Sequence, residues 1–280
     1  MTYKTFSSKP KEESMEKLSE IIANNFSVTE KIIRHCKKSG IKGYRLSSDL
    51  TPVIHHPDVN LKLEDLPNYN YINYTINNVA KAISDTGIRI AAHPSEYITL
   101  TTDDPQAIKN SITDLEAHAD IFDRLNLQKS FYNPLNIHCR KDGDPLEIST
   151  KFMKNYELLS DSVKSRLVIE NNDNASGVWS IENLNKYFYE KYKIPITFDN
   201  LHHKMLPGNY SEEEAFTVSY CTWPVTPIFH YSEGKENTRA HCDMATNLPP
   251  NYSSDVYWEV ELKSKDIAIL DILERYENGR

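Results

Sequence analysis

A chain of 280 residues, 39% hydrophobic with a mean hydropathy of −0.59, carries enough apolar content for an ordinary packed core, as one α/β barrel or two smaller domains. No segment is apolar and long enough for a membrane-spanning helix, and the first residues lack the apolar stretch of a secretory signal. The formal net charge of −8 argues against a broadly basic nucleic-acid binder, although a site holding several divalent cations would bring its own local positive field.

Residues 11–36 repeat Met15, Leu18, Ile21, Ile22, Ile32 and Ile33 at helical spacing, and Lys37, Lys38 and Gly40 stop that helix. A first strand follows at Gly43-Tyr-Arg-Leu-Ser-Ser48. Residues 50–70 read as a long loop containing the pair His55-His56, and loops of that length in barrels shape a site. Residues 71–86 return to helix through Ile72, Ile76, Val79, Ala80 and Ile83, closed by Gly87. Strands at Ile88-Arg-Ile-Ala-Ala-His93, Leu135-Asn-Ile-His138, Leu167-Val-Ile-Glu170, Ile196-Thr-Phe-Asp199, Pro227-Ile-Phe-His230 and Tyr257-Trp-Glu-Val-Glu261 then alternate with helices near 105–125, 149–165 and 181–192. Cys36, Cys139, Cys221 and Cys242 show no paired spacing and read as reduced thiols of a cytoplasmic protein.

Continuous apolar runs bounded by polar loops are what strands buried on both faces look like, and β–α alternation implies a parallel sheet. The predicted fold is α/β, a TIM-type (β/α) barrel with an irregular or missing first strand. It forms one domain over 1–280, with residues 1–14 as an extension of unassigned order. An eighth strand must come from Tyr3–Phe6 or be absent.

Nearly every predicted strand finishes on a residue that binds a metal, a phosphate or a base, and barrel active sites sit at the strand C-termini. The strand ends supply His93, His138, Glu170, Asp199, His230 and Glu261, and the adjoining loops add His202 and His241. Imidazoles mixed with carboxylates suit borderline divalent ions. So many ligands exceed the needs of one ion, so two or three metals bridged by a carboxylate are expected, with Glu170 the bridge. Such clusters activate water and stabilise the attacking and leaving oxygens in phosphodiester hydrolysis. Glu170, Glu261 and His230 are the candidate catalytic residues. Any of these histidines alone reads as an ordinary core or loop residue; the recurrence carries the inference. His35 and His118 fall in helical stretches and are read as packing or surface residues, and His203 as a spare beside Asp199-Asn-Leu-His202. Arg45, Ser47 and Ser48 either bind phosphate or hold a strand–loop junction. His56 is placed over the site.

The series Arg45-Leu-Ser-Ser-Asp-Leu-Thr-Pro52, His93-Pro-Ser-Glu-Tyr97, Asn136-Ile-His138, Ile169-Glu-Asn-Asn-Asp173, Phe198-Asp-Asn-Leu-His-His203, His230-Tyr-Ser232, His241-Cys-Asp243 and Glu261-Leu-Lys-Ser-Lys265 resembles the ordered motifs of the UV damage endonucleases over roughly residues 15–270. The resemblance implies a TIM barrel related to endonuclease IV. It implies about three metal ions, manganese first, with zinc and magnesium as alternatives. It also implies cleavage of double-stranded DNA 5′ to a UV photoproduct or abasic site. The same eight ligands are implied. A pair after the first histidine, here Glu96 and Tyr97, is implied to probe the damaged site, and tyrosine can stack on bases. Lys263 and Lys265 either contact the DNA backbone or neutralise nearby acids. Three departures stand out: Glu96 replaces the usual glutamine, Ile228 stands where many members carry a modifiable lysine, and the usual first strand is not recognisable before Lys11. The expected protein is a cytoplasmic monomer, nucleoid-associated on DNA, without a membrane partner. Two rival readings remain: a sugar isomerase or epimerase of the xylose-isomerase-like barrels, and a damaged-DNA-binding module that has lost catalysis.

Overall fold

The structure, a computed structural model, describes residues 1–139, 142–250 and 252–279. Seven short strands follow the predicted segments closely: β1 (Gly43–Leu46), β2 (Arg89–Ala92), β3 (Leu135–His138), β4 (Leu167–Glu170), β5 (Ile196–Thr197), β6 (Ile228–Tyr231) and β7 (Tyr257–Val260). Every ladder is parallel. β1 to β5 pair in sequence order, β6 pairs with β7, and a single bridge between Asp199 and His230 joins the two sheets. Pairing in chain order with helical crossovers is the TIM-type arrangement. No eighth strand occurs among the described residues. Tyr3–Phe6, the candidate for one, is instead the short helix α1, capped by the Thr2 hydroxyl. Phe6 is buried, and the Ser14 hydroxyl donates to its carbonyl at 2.7 Å.

Helix α2 (Lys11–Lys38) buries Leu18, Ile22, Phe26 and Ile33 against α3 (Tyr69–Thr86), which presents Ile72, Ile76, Val79 and Ala82. Each such side chain contributes about 1.5–3 kcal/mol on burial. Gly40 and Gly87 close these helices at φ of +73° and +68°, a left-handed conformation that costs glycine little. After α4 (Pro105–Arg124), the helix predicted near 149–165 is two helices, α5 (Pro145–Tyr156) and α6 (Asp161–Lys164). Ser160 caps α6, and its backbone N–H and hydroxyl both donate to Glu116. The stretch near 181–192 is helical throughout, as α7 (Ile181–Leu184), a π-helical segment and α8 (Glu190–Tyr192). Three further helices were not predicted: α9 (Asn200–Met205), α10 (Glu212–Cys221) and α11 (Asp266–Asn278).

The floor of the barrel is closed by Arg89. Its guanidinium donates to the carbonyls of Tyr132 and Thr226 and lies over the rings of Tyr132 and Tyr257. The candidate ligands stand at the opposite, C-terminal end of the strands.

Candidate metal centre at the strand ends

Register brings the predicted ligands together. His138 of β3 stands opposite Glu170 of β4, and the bridge from Asp199 to His230 sets those two side by side. Side chains alternate along a strand, so the residues ending each strand on the inward face converge on the barrel axis. Asp199 lies two residues past the end of β5 and caps α9, its Oδ1 accepting the backbone N–H of His202 at 2.8 Å. That cap fixes the first turn of α9 and swings the His202 ring back over Glu170.

Glu170 lies at the centre, 1% exposed. One carboxylate oxygen is 3.2 Å from Nε2 of His93, 3.2 Å from Nδ1 of His230 and 3.8 Å from Nε2 of His138; the other is 3.0 Å from Nδ1 of His202. The Asn136 amide donates to the first of these oxygens, Oε2. Three sets of ligand atoms emerge, each mutually within 4.8 Å: His93, His138 and Glu170; Glu170, Asp199 and His202; Asp199, His230 and Glu261. Glu170 is shared by the first two and Asp199 by the last two, so the geometry offers a second bridging carboxylate besides the predicted one. His241 belongs to none of these sets; its Nε2 lies 3.9 Å from Oε2 of Glu261, at the more exposed rim.

Burial and charge set the protonation of the cluster. Burial opposes ionisation of Glu170, but His230 and His138 hold its carboxyl well below the usual range. Burial likewise opposes charging of His202 and His230. Asp199 and Glu170 nevertheless lift His202 to about 10, and Glu170, Glu259 and Glu261 lift His230 to about 10. Burial raises Asp199 to about 6. Burial would also raise Glu261, but His230 and Arg45 take it down to about 2.

Divalent ions fit this cage on the structure's own terms. Buried polar atoms are nearly always hydrogen-bonded, yet Oδ2 of Asp199 and Nδ1 of His230 are buried without a hydrogen-bond partner. Both belong to the same ligand set, where a cation would satisfy them together. The borderline donor set of imidazole and carboxylate suits manganese, zinc or magnesium to different degrees.

Of the predicted substrate-contact residues, Ser47, Ser48, His56, Glu96 and Tyr97 line one cavity of about 720 Å³ beside the ends of β1 and β2. Tyr97 is 84% exposed at its mouth, and His56 stacks on Tyr3 with ring centroids 4.1 Å apart. Arg45 lies elsewhere. Its guanidinium points into the barrel toward Glu259 and Glu261, 2.6 Å from the former. Lys263 is exposed and does not line the cavity; its N–H donates to the Cys242 carbonyl. His118 sits in α4 as predicted, bonded to the Asp114 carbonyl at 2.8 Å, and its neighbour Asp114 forms the cavity wall with it.

Several contributors escaped the sequence reading. Asn171 brackets Asp199 with two hydrogen bonds, one to its N–H at 2.8 Å and one to its carbonyl at 3.1 Å. Asn172 holds Nδ1 of His138 through its amide oxygen at 3.1 Å. Period-two alternation was the signal available for Asn136 and Glu259, which lie two residues before His138 and Glu261 on the same faces.

Comparison with known proteins agrees with this architecture. A UV DNA damage endonuclease from Nostoc sp. is 30% identical over 265 residues, covering 90% of this chain and 77% of that protein. The crystal structure of SacUVDE superposes with a TM-score of 0.82 at 24% identity, covering 94% of this chain and 89% of that one. A D-tagatose 3-epimerase-like protein shares the barrel more distantly, with a TM-score of 0.57 at 14% identity over 74% of this chain and 85% of its own. The profile of the family described as UV-endonuclease UvdE matches residues 1–279, and with motifs, barrel and site in agreement the chain belongs to that family.

Proposed function

We propose that the protein is a metal-dependent endonuclease that hydrolyses a phosphodiester of double-stranded DNA 5′ to a UV photoproduct or an abasic site. The observation that carries this reading is the chain of three ligand sets linked through Glu170 and Asp199. When bound, two or three divalent ions, manganese first, supply Lewis-acid stabilisation of phosphate oxygens and a nucleophilic water near neutral pH.

The protein's own groups do the rest. Glu170 and Asp199 hold the ion positions close together, and His93, His138, His202, His230, His241 and Glu261 complete the donor set. On this reading Glu170, Glu261 and His230 are the catalytic residues, acting through the ions they would hold. Tyr97 stacks on a base at the opened site, and Glu96, Ser47, Ser48 and His56 shape the adjoining cavity for the distorted duplex. Lys263 lies next along the chain to the rim and meets the backbone. On this reading the protein acts as a cytoplasmic monomer, on the nucleoid when bound to DNA; among the described residues no helix is long and apolar enough to cross a membrane.

The test is nicking of UV-irradiated plasmid with manganese present. The proposal expects nicking by the wild type and its loss in Glu170→Gln. An inert wild type, or a variant as active as the wild type, would overturn it. The shared barrel with the epimerase-like protein keeps one rival in view. A sugar epimerase of this fold would use one ion, and one ion per chain with turnover of a ketose would favour it. Binding of damaged DNA without nicking across several metals would favour a lapsed enzyme, which Ile228 and Glu96 motivate.

A further inference from the structure

Below the ligand sets, the barrel interior holds a charged pair that the reading above leaves unused. Alternation along β7 turns Tyr257, Glu259 and Glu261 inward, while Trp258 packs outward among Phe198, Phe216 and Phe229. Glu259 is thus one inward position deeper than Glu261. Its Oε1 is 2.6 Å from Nη1 of Arg45 and 3.7 Å from Nε2 of His230, and the same Nη1 donates to Oε1 of Glu261.

His230 consequently meets a different carboxylate set on each ring nitrogen. Nδ1 faces Glu170 at 3.2 Å and Glu261 at 3.6 Å, whereas Nε2 faces Glu259. Nδ1 of His230 and Oε1 of Glu259 are both buried and without hydrogen-bond partners, the contact of Glu259 with Arg45 being an ion pair without hydrogen-bond alignment. A neutral imidazole that gives one nitrogen to a cation must carry its proton on the other, and that proton needs an acceptor. In register, His230 pairs with Glu259 across β6 and β7, so backbone pairing holds acceptor and ring together.

We propose that Glu259 is a positioning residue of the metal centre: it accepts the Nε2 proton of His230 and aims Nδ1 at the ion shared with Asp199 and Glu261. Arg45 supports the arrangement by clamping Glu259 and Glu261 side by side. It reaches across from β1 to β7, two strands that no backbone ladder joins among the described residues. The inference rests on the metal reading given above and extends it to a residue that no ligand set includes.

The test is a cobalt(II) titration of the metal-stripped full-length protein, followed by visible absorption, for wild type, Glu259→Ala and Glu259→Gln. Melting of each metal-free protein is measured alongside. Glutamine keeps an acceptor oxygen where alanine has none. Expected is a loss of affinity at one cobalt site of about tenfold to a hundredfold in Glu259→Ala, the range for removing a partner that orients a ligand. A changed spectrum at that site and recovery of most of the loss in Glu259→Gln should accompany it. Wild-type affinities and spectrum in Glu259→Ala would overturn the proposal. So would equal weakening of every site together with a lowered melting temperature, which marks a merely structural role. A wild type that takes up no cobalt would remove the metal reading itself, a result distinguishable from either.

Discussion

Replacing Glu170 with glutamine takes the charge from a carboxylate that four imidazoles surround. In the metal-free protein, His202 and His230 hold protons up to about 10 because buried carboxylates face them, Glu170 among these for both. Removing one partner of a buried charge pair costs about 3–5 kcal/mol. In a chain of 280 residues that corresponds to a fall of roughly 5–9 °C in melting temperature. The sign of the pH dependence follows from the direction of the shifts. Both histidines have folded values raised above the ordinary 6.5, so their contribution is fully present below 6.5 and fades as pH rises through about 10. Glu170 is depressed, so its own contribution is present above 4.5 and is lost only at a pH well below that. The gap between wild type and Glu170→Gln should therefore be widest near pH 6.5 and should close toward pH 10. Thermal melts of both proteins in chelator across that range measure it. A penalty of about 1 kcal/mol or less, the size of a surface pair, and indifferent to pH would refute the reasoning.

Three further outcomes are expected. Loading with manganese at pH 7.5 should release about two protons per chain as His202 and His230 give up theirs, and affinity should climb with pH toward 10. Calorimetry in two buffers of different ionisation enthalpy counts the protons, and zero release contradicts the assignment. Tyr97→Ala should leave stability unchanged, since the ring is 84% exposed. It should weaken binding to damaged duplex by about 1–3 kcal/mol, roughly fivefold to 150-fold in Kd; fluorescence anisotropy reads this, and unchanged affinity removes the stacking role. Asn171→Ala leaves the buried N–H of Asp199 unpartnered, while its carbonyl still accepts from the His203 N–H, and should lower stability by about 1–3 kcal/mol in urea unfolding. A shift within about 0.5 kcal/mol would show that water replaces the amide.

The strands were legible because a parallel sheet covered on both faces needs apolar residues in unbroken runs, and because each run here halts at a polar residue. Leu135–His138 and Leu167–Glu170 carry the same bounds in sequence and structure. β5 is shorter than its run suggested, because Asp199 leaves the ladder to cap α9. That cap also hid α9, since a six-residue helix has too few turns to show periodicity. A readable signal for α10 was passed over: Ser211 and Glu214 form a capping box three residues apart. Whether Tyr3–Phe6 supplies an eighth strand stays open in the sequence because four residues cannot separate the two periodicities, and the Thr2 cap with Phe6 in the core decides for helix.

The ligand types could be read at the strand ends, but their partition could not. That Asp199 is shared by two sets, that His241 stands apart from all three and that Arg45 turns inward depend on distances across the barrel. Such distances are fixed by register between strands far apart in sequence. Glu259 was overlooked for a similar reason: one inward position separates it from Glu261, and sequence spacing does not reveal which nitrogen of His230 each carboxylate meets.

Elemental analysis of the purified protein tests the shared-carboxylate cage most directly. The account predicts about two or three divalent ions per chain, falling on Glu170→Gln substitution because that carboxylate serves two sets at once. A wild type holding one ion or none after incubation with manganese would contradict it.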